Sequence, residues 1–418
     1  MTDQTTEGPV LAADGTPLKK KLAQALFLSR LRAFGLVAPL LLFIVASFII
    51  PIISLMWQGV KNDTYERYMP ASTELLRQWD AVSDPTEEMY AALVADLVVS
   101  REEKTIGRVA TRVNRELSGT RSMFTKSARK AKNLEAPFQA ALLDVDEDWG
   151  DIEVWKAMKI AALTYTPAFY AAALDSTYNA DGSFNILPKE ERIYNYLLIK
   201  TLGISLTVTV LTLLLGYPVA WLMANLPARK ANLLMILVLL PFWTSLLVRT
   251  TAWIAMLQSQ GILNDIFVFI GLTDDDHRFS LIYNMKGTII AMTHILLPFM
   301  ILPLYSVMKS IPPTYVRAAK SLGATDWTAF WRVYFPSTVP GIGAGALLVF
   351  ILAIGYYITP ALVGGQDGQM ISNLIAYHMQ KSLNWSLAAA LGGILLLIVL
   401  TLYWLYDKIV GIDNMKLG

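Results

Sequence analysis

The stretch IPPTYVRAAKSLGATDWTAFWRVYFP, Ile311 to Pro336, is polar and sharply punctuated, yet long apolar runs lie on both sides of it. Pro312-Pro313 suits a helix start, because the N–H that proline lacks falls among groups without intrahelical partners. Val316, Ala319 and Leu322 make one short apolar line, and Gly323 suits the left-handed position that ends helices. Thr325 or Asp326 can cap a second helix. On that helix Trp327, Phe330, Trp331 and Tyr334 share a face, and Pro336 is expected to end it. The pattern is that of a docking knob, with small side chains on one helix and an aromatic stripe on the other. An amphipathic helix lying on lipid headgroups accounts for the same residues equally well.

The flanking runs decide the class. Of 418 residues, 55% are apolar and 16% charged, against about a quarter charged in ordinary soluble domains. Six runs are long enough to cross a bilayer: 34–57, 197–223, 233–257, 287–308, 341–357 and 387–405. A span needs about 20 apolar residues at roughly 1.5 Å each. Pro241, Pro298 and Pro303 fall inside spans, where neighbouring helices can satisfy the freed carbonyls. The expectation is an all-α membrane protein. The first run is too long for a signal peptide and no small-x-small site follows it, so it reads as an uncleaved anchor.

Lys19, Lys20, Lys21, Arg30 and Arg32 before that anchor predict a cytoplasmic N-terminus. Arg229, Lys230, Lys309, Arg317, Lys320, Arg332, Lys408 and Lys416 then fall inside. Only Arg278, Lys286 and Lys381 fall in the short outer loops. The predicted organisation is a cytoplasmic segment 1–33, a first span 34–57, an extracytoplasmic insertion 58–196, a five-helix core 197–405 and a cytoplasmic tail 406–418. The knob lies in the cytoplasmic loop 309–340.

The insertion reads as folded and mainly helical. Asp84-Pro85 followed by Glu87 and Glu88 predicts a helix start. Ile106, Val109, Val113 and Leu117 keep helical spacing, DWGDIEVWKAMKIAAL (148–163) repeats it, and YNADGSFN (178–185) predicts a turn. The insertion has no histidine, and its acidic run DVDEDWGD (144–151) lacks calcium-loop spacing. A docking or lid domain is the expectation, not an enzyme.

Other chemistries lack their parts. A net charge of +2 gives nucleic acid no basic footprint, and the chain has no cysteine. His277, His294 and His378 share no ligand spacing, so no metal site is expected. There is no G-x-x-x-x-G-K-[ST] loop and no convincing internal repeat, so the energy source is expected on another subunit.

The stretch 317–336 resembles the cytoplasmic signature of the inner-membrane permeases of binding-protein-dependent ABC importers, E-A-A-x3-G-x9-I-x-L-P. Here it reads Arg317-Ala318-Ala319, Gly323, Val333, Phe335 and Pro336, with every spacing kept. Arg317 stands where the pattern has glutamate, so an acidic partner is expected for it. The resemblance implies a coupling helix, with Arg317, Ala318, Ala319, Gly323, Trp327 and Phe330 meeting an ATPase. PFWTSLLVRTTAW (241–253), GILN (261–264), LLPFMILPLY (296–305) and GYYITPALVGG (355–365) resemble the spermidine/putrescine-type branch. By that resemblance the partners are a second permease subunit, a dimeric ABC ATPase that carries ATP and Mg, an extracytoplasmic solute-binding protein and membrane lipid. The chain itself would bind no cofactor, in a bacterial inner membrane with both termini cytoplasmic.

Arg249 is the one charge well inside a core span, where ionisable groups default to a functional role over snorkelling. Trp243, Trp253, Tyr356 and Tyr357 can line a path for a cation or anchor at the interface. His294 is expected to bond between helices. The core spans read above hold no Asp or Glu. Two substrate readings follow: a polyamine held by its external binding protein and passed over a weak path, or an opine or amino-acid-like solute whose carboxylate meets Arg249. A membrane-anchored sensor using the insertion is the rival of another class, and an ion-coupled secondary transporter should show acids in its spans.

Overall fold

The computed structural model describes residues 18–410. Expectations for residues 1–17, for the side chains of Lys19, Lys20 and Lys21, and for the tail beyond 410, Lys416 included, lie outside the described residues. The chain is helical nearly throughout. Among the described residues, five helices are long and apolar enough to cross a membrane, or six when one bent pair counts as a single span.

Met1–Trp57 forms a unit by itself. Its span, Ser29–Gln58, carries exposed apolar side chains such as Leu36, Leu42 and Phe43. The helix continues through a π turn at Val45–Ile49, where the Ile50 N–H reaches back to the Val45 carbonyl. Pro51 follows at once, so the wider turn absorbs the register that a proline breaks. The boundary expected at 33/34 falls inside the helix Leu18–Ile44.

In the second unit, Gln58–Gly418, the second, fourth and fifth spans form the packed centre of the helical core: Tyr194–Asn225, Met285–Ser310 and Asp326–Gly355. Close approach needs small residues, since helix association in lipid rests on packing and polar contacts. A Cβ on Gly341 would lie 3.0 Å from Val307 Cβ, and one on Gly345 would lie 2.7 Å from Met300 Sδ. Both glycines, four residues apart, therefore let the fifth span press on the fourth. Met292, Leu296, Met300 and Leu304 are buried in the same seam.

Two expectations need correction. The run 233–257 is not one helix; it is Ala228–Trp243 and Leu246–Phe269, bent by 97°. Pro241 opens a 3-10 turn at Leu240–Trp243, and Ser245 then caps the second half by accepting from the Val248 N–H at 3.2 Å. A new helix starts where the proline and the serine cap coincide. Nor does Pro336 end the aromatic helix. That helix runs on as the fifth span through a π turn at Phe330–Tyr334, where the Phe335 N–H reaches the Phe330 carbonyl. As at Pro51, the proline is the second residue after the π turn.

The insertion is a folded helical domain with one β-hairpin, Ser176–Tyr178 against Phe184–Ile186, closed by the expected turn. Its core holds Trp149, Trp155, Tyr90 and Phe124, all buried. Each large side chain contributes about 2–3 kcal/mol of transfer free energy. The Trp149 indole donates to Ser127 Oγ at 2.8 Å and that of Trp155 to the Trp149 carbonyl at 3.0 Å, so both polar ends are satisfied. The helix expected from Asp84 starts later, at Glu87, with Thr86 at the cap position.

Candidate coupling surface and translocation path

The knob forms as a short helix, Pro313–Ser321, with Pro313 in its first turn. It ends in a Schellman turn: the Ala324 N–H bonds the Ala319 carbonyl at 3.1 Å and the Gly323 N–H bonds that of Lys320 at 3.0 Å. Gly323 has φ +91°, a backbone that other residues adopt only with strain. Thr325, not Asp326, caps the next helix, its hydroxyl accepting from the Thr328 N–H at 3.2 Å. Asp326 instead pairs with Lys320 across the turn.

The aromatic stripe fixes this knob to the core. Phe330 and Phe335 pack on Tyr217 of the second span, with ring centroids 6.4 and 5.9 Å apart, and Tyr217 Oη lies 3.2 Å from Thr338 Oγ1. Trp327 and Trp331 meet edge to face at 5.5 Å. Behind the short helix lies a cavity of about 710 Å³, lined among others by Trp221, Asn225, Val316, Arg317 and Tyr334. Val316 thus faces inward, while Leu322 is 89% and Trp327 72% exposed. Arg317, Ala318 and Gly323 are exposed; Ala319 and Phe330 are half-buried. The six residues therefore lie on two short helices joined by the Gly323 turn, braced at the base by the packing of Phe330 on Tyr217.

The residues singled out in the spans divide. Trp253 donates its indole N–H to His294 Nδ1 at 3.1 Å, with the rings edge to face at 5.2 Å. Arg249, one helical turn before Trp253, lies within electrostatic reach of His294 and Tyr356. Its Nε is enclosed without a hydrogen-bond partner among the described residues. Thr250 and Thr359 hydroxyls, 3.5 Å apart, join the same region. Arg249, Trp253 and Tyr356 are thus one neighbourhood, linked through His294 and Arg249. Trp243 is not part of it: it stands at the bend, 73% exposed. Tyr357 is also exposed, its carbonyl held by Asn373 Nδ2 at 2.7 Å. Sequence reasoning missed Thr250 and Thr359, which read as ordinary small residues of apolar helices.

The family described as the inner membrane component of binding-protein-dependent transport systems matches residues 216–410. The spermidine/putrescine transport system permease protein PotB of Escherichia coli (strain K12) is 34% identical over 222 residues, covering 52% of this chain and 80% of that protein. The PotB protein of Haemophilus influenzae is 36% identical over 216 residues, covering 51% and 74%. A solved bacterial alginate ABC transporter aligns at 20% identity and a TM-score of 0.43, covering 54% of this chain and 80% of that one.

Proposed function

The chain belongs to the family of inner membrane components of binding-protein-dependent transport systems, and we propose that the solute it passes is a polyamine of the spermidine/putrescine class. As a family member it is a multi-pass inner-membrane permease subunit of an ABC importer, a transport component and not an enzyme. Likeness to the PotB proteins supports the substrate class. The observation that carries the mechanism is the braced turn at Gly323: a projecting, capped element rooted on Tyr217 is what an external motor needs to move two spans together.

In this reading Arg317, Ala318, Ala319, Gly323, Trp327 and Phe330 meet a dimeric ATPase that holds ATP and Mg. A second permease completes the pore, and an extracytoplasmic binding protein delivers the solute. The knob and both termini are cytoplasmic, supported by the excess of Lys and Arg on that side. Arg249, Trp253 and Tyr356 line the path, with Trp243 and Tyr357 at its margin. The core spans hold no Asp or Glu between 197 and 257, 287 and 308, 341 and 357, or 387 and 405. A cation therefore meets ring faces and hydroxyls, a weak path that favours release. Arg249 is the one observation that favours the second reading, a carboxylate-bearing solute such as an opine or amino acid.

Purification of the native complex in mild detergent, with subunits identified by mass, tests the assembly. An ATPase and a second permease should co-purify with this chain; a chain recovered alone contradicts it.

A further inference from the structure

Residues 58–196 precede the family match at 216–410, and neither coupling nor path explains them. They are nevertheless fastened to the permease by three kinds of contact: a helix cap, an apolar cluster and a hydrogen bond to the turn at Leu383. Asp175, fully buried in the insertion, accepts from the backbone N–H groups of Ile193, Tyr194 and Asn195 at 3.1, 2.9 and 2.7 Å. These are orphan donors at the positive end of the second span, so the carboxylate caps a 32-residue helix. Phe169 and Ala173 of the helix Ala168–Ala173 are buried with Leu197 and Leu198 of the second span, Ile371 of the helix Ile371–Gln380, and Leu391 of the sixth span.

The guanidinium of Arg115 donates to the Leu383 carbonyl, 2.9 Å away, in the turn joining Ile371–Gln380 to the sixth span. Tyr194 Oη lies 3.2 Å from His378 Nε2, tying the second span to the same helix. Behind the apolar contact, Arg112 is 1% exposed, pairs with Glu116 and sits 5.1 Å from the Phe169 ring, holding that ring forward. Burial, with the Arg112 charge beside it, brings Arg115 down to about 10, so it stays cationic at neutral pH.

A hinged lid would not be built this way. Opening the joint would strip a buried carboxylate of three donors and expose a packed apolar cluster, both costly. We propose that the insertion is a fixed strut that binds the outer ends of the second span, the helix Ile371–Gln380 and the sixth span into one body, so that this side of the outer gate moves as a unit during transport. The proposal rests on the permease reading above; the strut is a positioning element and touches no solute.

The chain has no cysteine, so a pair can be placed cleanly. Arg115→Cys with Leu383→Cys, in the full complex in proteoliposomes, is bridged by a short cleavable bis-maleimide, and spermidine uptake is compared before bridging, after it and after cleavage. The strut predicts that the bridged complex keeps at least half of its uptake. A loss of more than half on bridging, recovered on cleavage, overturns it.

Hydrogen exchange on the unmodified complex decides independently of variant folding and of substrate. The amides of Ile193, Tyr194 and Asn195 should stay equally protected in the nucleotide-free and vanadate-trapped states; faster exchange on trapping overturns the strut. A parent complex, without the two cysteines, that assembles but takes up no spermidine counts against the polyamine reading alone, and the exchange result then stands as the test.

Discussion

Trp253 and His294 are joined by a 3.1 Å hydrogen bond that ties the second half of the broken third span to the fourth. The acceptor is Nδ1, so that nitrogen carries no proton while the bond stands. Interhelical bonds of this kind in membranes average about 0.6 kcal/mol and reach about 1.7. His294→Leu and Trp253→Phe should each lower stability by about 1 kcal/mol, and the double variant should lose less than their sum. Thermal unfolding in detergent of the four proteins measures the coupling; strict additivity would mean that the bond contributes nothing.

Arg249 shares this neighbourhood, with its Nε enclosed and unpaired among the described residues. A guanidinium held inside a membrane helix costs several kcal/mol unless it finds water or partners, and such groups are kept where function needs them. Arg249→Gln should cut solute uptake by about tenfold or more, roughly 1.4 kcal/mol in barrier terms, while basal ATP hydrolysis by the complex persists. Uptake equal to the parent would place Arg249 among residues that merely reach for the headgroups.

At the knob, a valine at Gly323 must adopt φ near +91°, costing about 1–2 kcal/mol and disturbing the Schellman turn. Ala319 is half-buried on the same helix, so Ala319→Asp places a charge where close packing is expected. Both variants should insert in the membrane at parental levels yet support no ATP-driven uptake. Normal uptake by Gly323→Val would remove the knob from the coupling route.

Orientation is tested with single cysteines in the cysteine-free chain. Ser118 and Ser321 are both exposed. In intact spheroplasts an impermeant thiol reagent should label Ser118→Cys and spare Ser321→Cys. The opposite pattern would put the knob outside, away from any cytoplasmic motor.

The spans were legible because each must present an apolar surface long enough for a bilayer, a property of composition alone. Gly323 was legible because a left-handed residue after a short helix calls for glycine. Proline misled in two ways. Pro241 reads as a tolerated kink inside one span, yet with Ser245 four residues on it marks a sharp break; the serine cap was the available signal. Pro336 reads as a stop, yet a π turn carries the helix through it, as another does at Pro51. Nothing local in the sequence announces an i→i−5 bond.

The grouping of Arg249, Trp253, His294 and Tyr356 was hidden for another reason: three separate helical elements bring it together. The anchoring of the insertion was hidden more deeply, since Arg115 and Leu383 meet from 268 positions apart. Pairs so distant leave no periodicity to read.

The account turns on ATP-driven import of a polyamine through this permease. The most direct measurement is ATP hydrolysis by the complex reconstituted with its own binding protein, with spermidine and putrescine set against anionic solutes such as opines. Stimulation by the polyamines, and none by the anions, is the predicted result. Stimulation by the anions alone would contradict it and make Arg249 a substrate contact.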